Sequence, residues 1–189
     1  MKKILAIVLA LTVVLVAFAA CGGEKTPDAS EAPAFADATD VLTKIFATYT
    51  EENKFPVGGG DEANMSMEAP AKYDHTLTDE LNDIAALPAS QSENIEDAAT
   101  ALNMMMSNNF TGAAYLLKEG ADATVFADDY KAELANRQWM CGMPEKYVVV
   151  KTGNYVVTAY GLTVVIDYFK TQALTFDGAE VLVEGDIAA

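Results

Sequence analysis

The chain has 189 residues, with 12 Lys and Arg against 28 Asp and Glu, and a formal charge of −16. So acidic a composition argues against nucleic acid and anionic lipid headgroups as partners, because holding phosphate needs a basic footprint. The length is enough for one domain with a proper hydrophobic core.

The first segment has three parts. Lys2 and Lys3 are basic, Ile4 to Phe18 is apolar apart from Thr12, and the small residues Ala19 and Ala20 precede Cys21. This is the layout of a secretory signal; a membrane-spanning helix needs about 20 apolar residues, for which residues 4–20 are borderline, and Cys21 tips the balance to the signal. Phe18-Ala19-Ala20-Cys21 resembles the bacterial lipobox, in which the cysteine receives a diacylglyceryl thioether and cleavage leaves it as the new N-terminus. Two acyl chains anchor a protein stably where one does not. The expected result is a membrane attachment through Cys21, with the chain on the extracytoplasmic face of the cell membrane. Removing residues 1–20 takes away Lys2 and Lys3 and no acid, so the side-chain charge moves from −16 to −18. With Cys21 lipidated, Cys141 has no partner for an internal disulfide.

Residues 21–38 are rich in Gly, Pro, Ala, Ser and acids and read as a flexible acidic linker. A helix is expected from Thr39 or Asp40, with Val41, Leu42, Ile45, Phe46 and Tyr49 at helical spacing. Residues 51–75 contain Pro56, Gly58-Gly59-Gly60 and Pro70 and read as loop. Thr78 is placed to cap a short helix with Leu81, Ile84 and Ala85 on one face. Ser92 or Asn94 is placed to cap a third, with Ile95, Ala98, Ala99, Leu102, Met105 and Met106 facing inward.

The second half changes character. Phe110 to Lys118 reads as a strand, Gly120 breaks it, and Asp122 caps a helix to about Trp139 whose stripe is Phe126, Tyr130 and Leu134. Tyr147–Val150 and Tyr155–Tyr160 are β-branched and aromatic around Thr152-Gly153-Asn154, a hairpin pattern. Leu162, Val165, Ile166 and Phe169 predict a last helix. The class expected is α+β: a small mixed three-stranded sheet in the order β-α-β-β-α, with helices packed on one face and helices preceding it. A right-handed crossover makes the first two strands parallel, with the hairpin strand between them. The domain is expected over residues 39–172, followed by an acidic tail, 173–189, with Asp177-Gly178 as the turn of a candidate hairpin.

Met104-Met105-Met106, Gln138-Trp139, Pro144-Glu145-Lys146-Tyr147 and Lys151-Thr152-Gly153-Asn154-Tyr155-Val156-Val157 occur in that order. The ordering resembles an uncharacterised lipoprotein family of Gram-positive bacteria, domain of unknown function 4358, over roughly residues 39–172. The resemblance implies a signal peptide and a lipobox cysteine and carries no activity with it.

Candidate chemistry is sparse. His75, in the loop Tyr73-Asp74-His75-Thr76, is the one histidine, and a general base needs an orienting partner and a nucleophile in reach. Cys141 is a candidate nucleophile without a resolving cysteine. Met140, Cys141 and Met143 place three sulfurs within four residues, and with Met104, Met105 and Met106 they form a candidate soft-metal set, since thioethers and thiolates select Cu(I). Asp61-Glu62 and Asp128-Asp129 form no metal pattern and read as solvated surface. No phosphate loop, dinucleotide fingerprint or G-x-S-x-G is present. The reading is a lipid-anchored extracytoplasmic binding or accessory domain without catalysis or cofactor, with Cys21 as its lipidation site. The alternatives are a surface enzyme using His75 or Cys141, or a Cu(I)-binding lipoprotein at Met140, Cys141 and Met143.

Overall fold

The computed structural model describes residues 35–105, 108–139 and 142–187. In chain order the elements are α1 (Ala38–Ala47), β1 (Val57–Gly58), β2 (Ala71–Tyr73), α2 (Thr78–Ala85), β3 (Ile95–Asn103), β4 (Thr111–Leu117), α3 (Ala123–Asn136), β5 (Lys146–Thr152), β6 (Tyr155–Gly161), α4 (Thr163–Ala173) and β7 (Glu180–Asp186). Two short 3₁₀ turns, Glu51–Asn53 and Ala89–Asn94, join them. Among the described residues, no helix is long and apolar enough to cross a membrane.

The seven strands make one sheet in the order β1-β3-β4-β6-β5-β7, with β2 also on β3. Every neighbouring pair is antiparallel. This corrects the expectation of a small mixed three-stranded sheet. Strands β4, β5 and β6 are present, with β6 between the other two, but they are the middle of a larger sheet. The largest departure is β3. Ile95–Asn103 was expected as a helix because Ala98, Ala99 and Leu102 recur at helical spacing after a capping residue. It is a strand because it pairs along its length with β4 on one side and with β1 and β2 on the other. A strand buried on both faces shows no alternation, so its period is not readable.

Helices cover both faces, not one. On the first, α1 (Val41, Leu42, Ile45) and α4 (Ile166, Phe169) pack on Ala99, Ala101, Ala114, Val148, Val150 and Val157. On the second, α2 (Leu81, Ala85) and α3 (Phe126, Tyr130, Leu134) pack on Ala98, Ala113, Tyr115, Val149 and Val156. Adjacent residues such as Val148 and Val149 therefore enter different cores, as the two-residue repeat of a strand requires. Alanines at the β3 and β4 contacts let the helices sit close to the sheet. The start of α1 is fixed twice, by the Asp40 N–H donating to Asp37 Oδ1 at 2.7 Å and by the Ala38 N–H donating to Asp97 Oδ2 on β3 at 2.9 Å. Asp122 caps α3 as expected, accepting from the Thr124 N–H at 2.8 Å.

The domain limits move at both ends. Phe35 and Ala38 are in the first core, ahead of residue 39. Beyond residue 172, Glu180–Asp186 pairs with β5 and forms no hairpin with the residues before Asp177-Gly178. Charge holds this edge down: Lys146 Nζ lies 2.7 Å from Asp167 and 3.3 Å from Glu184, and Lys170 Nζ lies 2.8 Å from Glu184. One ionic group thus links β5, α4 and β7.

Among the described residues, the buried hydroxyls of Tyr49 and Tyr115 lack a hydrogen-bond partner. A buried hydroxyl without a partner carries its desolvation cost with nothing to offset it. Tyr115→Phe removes that cost and keeps the ring contact with Phe126 at 5.5 Å between centroids. The expected result is unchanged or raised stability, by up to about 1 kcal/mol in a denaturant titration. A loss of more than that would show that the hydroxyl holds a bound water.

Candidate functional site

At one end of the sheet, β3 and β6 finish and β4 and β5 begin, and the loop residues 104–105, 108–110, 137–139 and 142–145 lie beside them. Between them lies a cleft of about 410 Å³ lined by Asn103, Asn109, Arg137, Gln138, Trp139 and Tyr160, with Asp83, Thr111 and Pro144 at its margins. The loops touch. Gly142 has φ +89°, and a Cβ there would lie 2.9 Å from Asn109 Nδ2, while Asn109 itself has φ +51°. Asn and Gly are the residues that adopt this left-handed conformation most readily.

The aromatic wall is built on the sheet. Tyr160, the penultimate residue of β6, is buried, and its hydroxyl donates to the Ile84 carbonyl at 2.8 Å. Burial holds the Tyr160 phenol above its ordinary pKa, with a hydrogen bond to Thr111 and the charge of Arg137 acting the other way. Trp139 stands edge-on to it, ring centroids 5.1 Å apart. The Arg137 guanidinium covers the indole at 5.6 Å, a favourable cation–π geometry. That guanidinium is itself held: it donates to the carbonyls of Asn82 and Asp83 and pairs with Glu133 at 3.6 Å. Asn103 Oδ1 accepts the Met105 N–H at 2.8 Å, which fixes the chain as it leaves β3. A half-buried indole and amide side chains, positioned by a rigid scaffold, are the ordinary makings of a binding site. They include no nucleophile–base pair.

A second cleft, about 980 Å³, lies at the opposite end, around Gly120, Gly153, Asn154 and Glu180. It is larger, and its lining is more polar than that of the Trp139 cleft. Lys151 is paired with Glu180 at 3.8 Å, and the start of α3 there is already capped by Asp122. The Trp139 cleft is the better candidate because aromatic surface and oriented polar groups converge in it.

The residues singled out from sequence are dispersed. Cys21, Met106, Met140 and Cys141 lie outside the described residues. His75 is half-buried in the loop between β2 and α2, beside Asp74, and lines neither cleft. Met143 is half-buried in the loop before β5, while Met104 and Met105 are exposed. Among the described residues, no group of three or more His, Cys, Asp or Glu side chains could hold a metal ion. The carboxylate pairs are less uniform than expected. Asp129 accepts from Ser90 Oγ and Gln91 Nε2, both at 2.6 Å. Asp61, expected as solvated surface, is only 4% exposed. It is bound by the surrounding N–H groups instead of water. Of the cleft residues, sequence reading marked Gln138 and Trp139 only as part of a resemblance. Arg137, Asn103, Asn109 and Tyr160 come together only through the sheet.

No protein-family model, no curated protein and no solved structure matches this chain.

Proposed function

We propose that the chain is a lipid-anchored extracytoplasmic protein, fixed through Cys21, whose domain binds an envelope partner or small molecule in the Trp139 cleft without catalysing a reaction on it. The observation that carries the binding reading is the convergence of Trp139, Arg137 and Asn109, from the loops, with Tyr160 of β6 at one end of the sheet. The address rests on the residues Phe18-Ala19-Ala20-Cys21 and the basic and apolar segments before them. The acidic exterior suits a domain whose membrane attachment comes from its anchor and not from its surface.

Two variants test the parts separately. Cys21→Ser is expected to remain unprocessed and to take up no lipid label, and normal labelling of that variant would refute the anchor. Trp139→Ala is expected to lose at least tenfold of whatever the wild-type full chain captures from envelope membranes, since it deletes the largest apolar surface of the cleft. Identical capture by both chains would remove the cleft from the account.

A further inference from the structure

Large apolar side chains avoid water, yet among the described residues eight are exposed, and four of these are Met65, Met67, Met104 and Met105. They are half of the chain's eight methionines. They come from two segments only, 65–67 and the two residues after β3, and β1 joins the two. Val57 and Gly58 pair with Asn103 and Leu102 of β3. On its other side Gly59 exchanges both backbone hydrogen bonds with Ser66, each 2.9 Å.

Gly58 is the hinge of the arrangement. The point where its Cβ would stand is 2.3 Å from Met104 Sδ and 2.7 Å from the Ser66 carbonyl oxygen. The Met104 sulfur therefore occupies the space left by a missing side chain, against the peptide that separates Met65 from Met67. The backbone beneath is fixed: the Met104 N–H donates to Pro56 O at 3.1 Å and the Met105 N–H to Asn103 Oδ1 at 2.8 Å. Ser66 Oγ in turn accepts from the Ala69 N–H at 3.2 Å. Flexible thioethers on a fixed backbone, exposed to solvent and flanked by the exposed carboxylates of Glu62 and Glu68, suit a soft monovalent cation. Thioether sulfur selects Cu(I) over the hard divalent ions, and an acidic surface raises the local concentration of cations.

We propose that Met65, Met67, Met104 and Met105 form a thioether site for Cu(I), which binds by coordination without change of oxidation state. None of these four residues lines the Trp139 cleft. The test is competition for Cu(I) against bicinchoninate, under anaerobic reducing conditions, with the full chain carrying Cys21→Ser and Cys141→Ser to remove both thiols. That chain is expected to retain one equivalent of Cu(I). Adding M65L, M67L, M104L and M105L is expected to weaken retention at least tenfold. Met and Leu are near-isosteric and the positions are exposed, so folding is expected to persist. A readout that needs no further substitution is the ¹³C-methyl methionine spectrum on adding Ag(I), where the methyl signals of Met65, Met67, Met104 and Met105 are expected to shift together up to one equivalent. Undiminished retention in the Leu variant, retention only when the cysteines are present, or unshifted methyl signals would overturn the proposal.

Discussion

Gly59→Ala is expected to lower the stability of the chain by more than about 4 kcal/mol, read from denaturant unfolding. A Cβ on Gly59 would stand 2.0 Å from the Thr100 carbonyl oxygen and 2.8 Å from the Ala71 amide nitrogen. Both are main-chain atoms, of β3 and β2, and cannot swing aside as the end of a side chain does. The added methyl group would force apart a junction where Gly59 pairs with Ser66 and the Gly60 N–H donates to Thr100 Oγ1 at 2.9 Å. Gly120 provides the control. It has φ +85° with nothing within 4 Å of its would-be Cβ, so Gly120→Ala meets only backbone strain, about 1 kcal/mol. Equal losses at the two positions would contradict the packing described.

Asp61→Asn is expected to cost about 3 kcal/mol at neutral pH, and its effect should fade in acid. Asp61 Oδ1 accepts from the Ala63 and Asn64 N–H groups at 2.8 and 2.9 Å, and Oδ2 accepts from the Asp74 N–H at 2.6 Å. The Asn64 amide bridges both oxygens. Burial raises the carboxyl pKa, but the donors from Asp74, Asn64 and Ala63 outweigh it and leave the group below its ordinary value. A carboxyl whose pKa is lowered by folding stabilises the fold above the unfolded-state value, about 4, and loses that contribution as the pH falls through the folded value. An asparagine offers one acceptor oxygen and turns an NH₂ toward donors. Stability curves of wild type and Asp61→Asn should therefore lie furthest apart near pH 7 and converge as the carboxylate protonates. A constant gap across the acid range would show that the carboxylate charge contributes nothing.

These two positions also show where sequence reading stops. Gly58-Gly59-Gly60 reads as loop because glycine runs usually are, yet each glycine answers to a different neighbour: the Met104 sulfur, the Thr100 carbonyl, and a φ of +91°. Val57–Gly58 and Ala71–Tyr73 are too short to show a period and exist because β3 offers them its edge from Ala98 to Asn103 for pairing. Ile95–Asn103 misleads for the opposite reason, since its alanines fit a helix locally and only the partners on both sides decide for a strand. Where local and tertiary preferences agree, the reading holds. The Asp122 cap, the Phe126, Tyr130 and Leu134 stripe, and the Thr152-Gly153-Asn154 turn are all where periodicity and turn chemistry put them. The cleft was legible only in fragments. Trp139 and Tyr160 are 21 positions apart in the chain, and nothing local signals that β6 brings their rings together.

The most direct measurement for the binding reading is site-specific photo-crosslinking in living cells. A benzophenone amino acid is placed at Gln138, which is exposed and lines the cleft. It is placed in a second chain at Val125, which is 50% exposed on α3 away from the cleft. Adducts are read by mass. The account predicts a discrete adduct from Gln138 that is missing from Val125. No adduct from Gln138, or the same adducts from both positions, would contradict it.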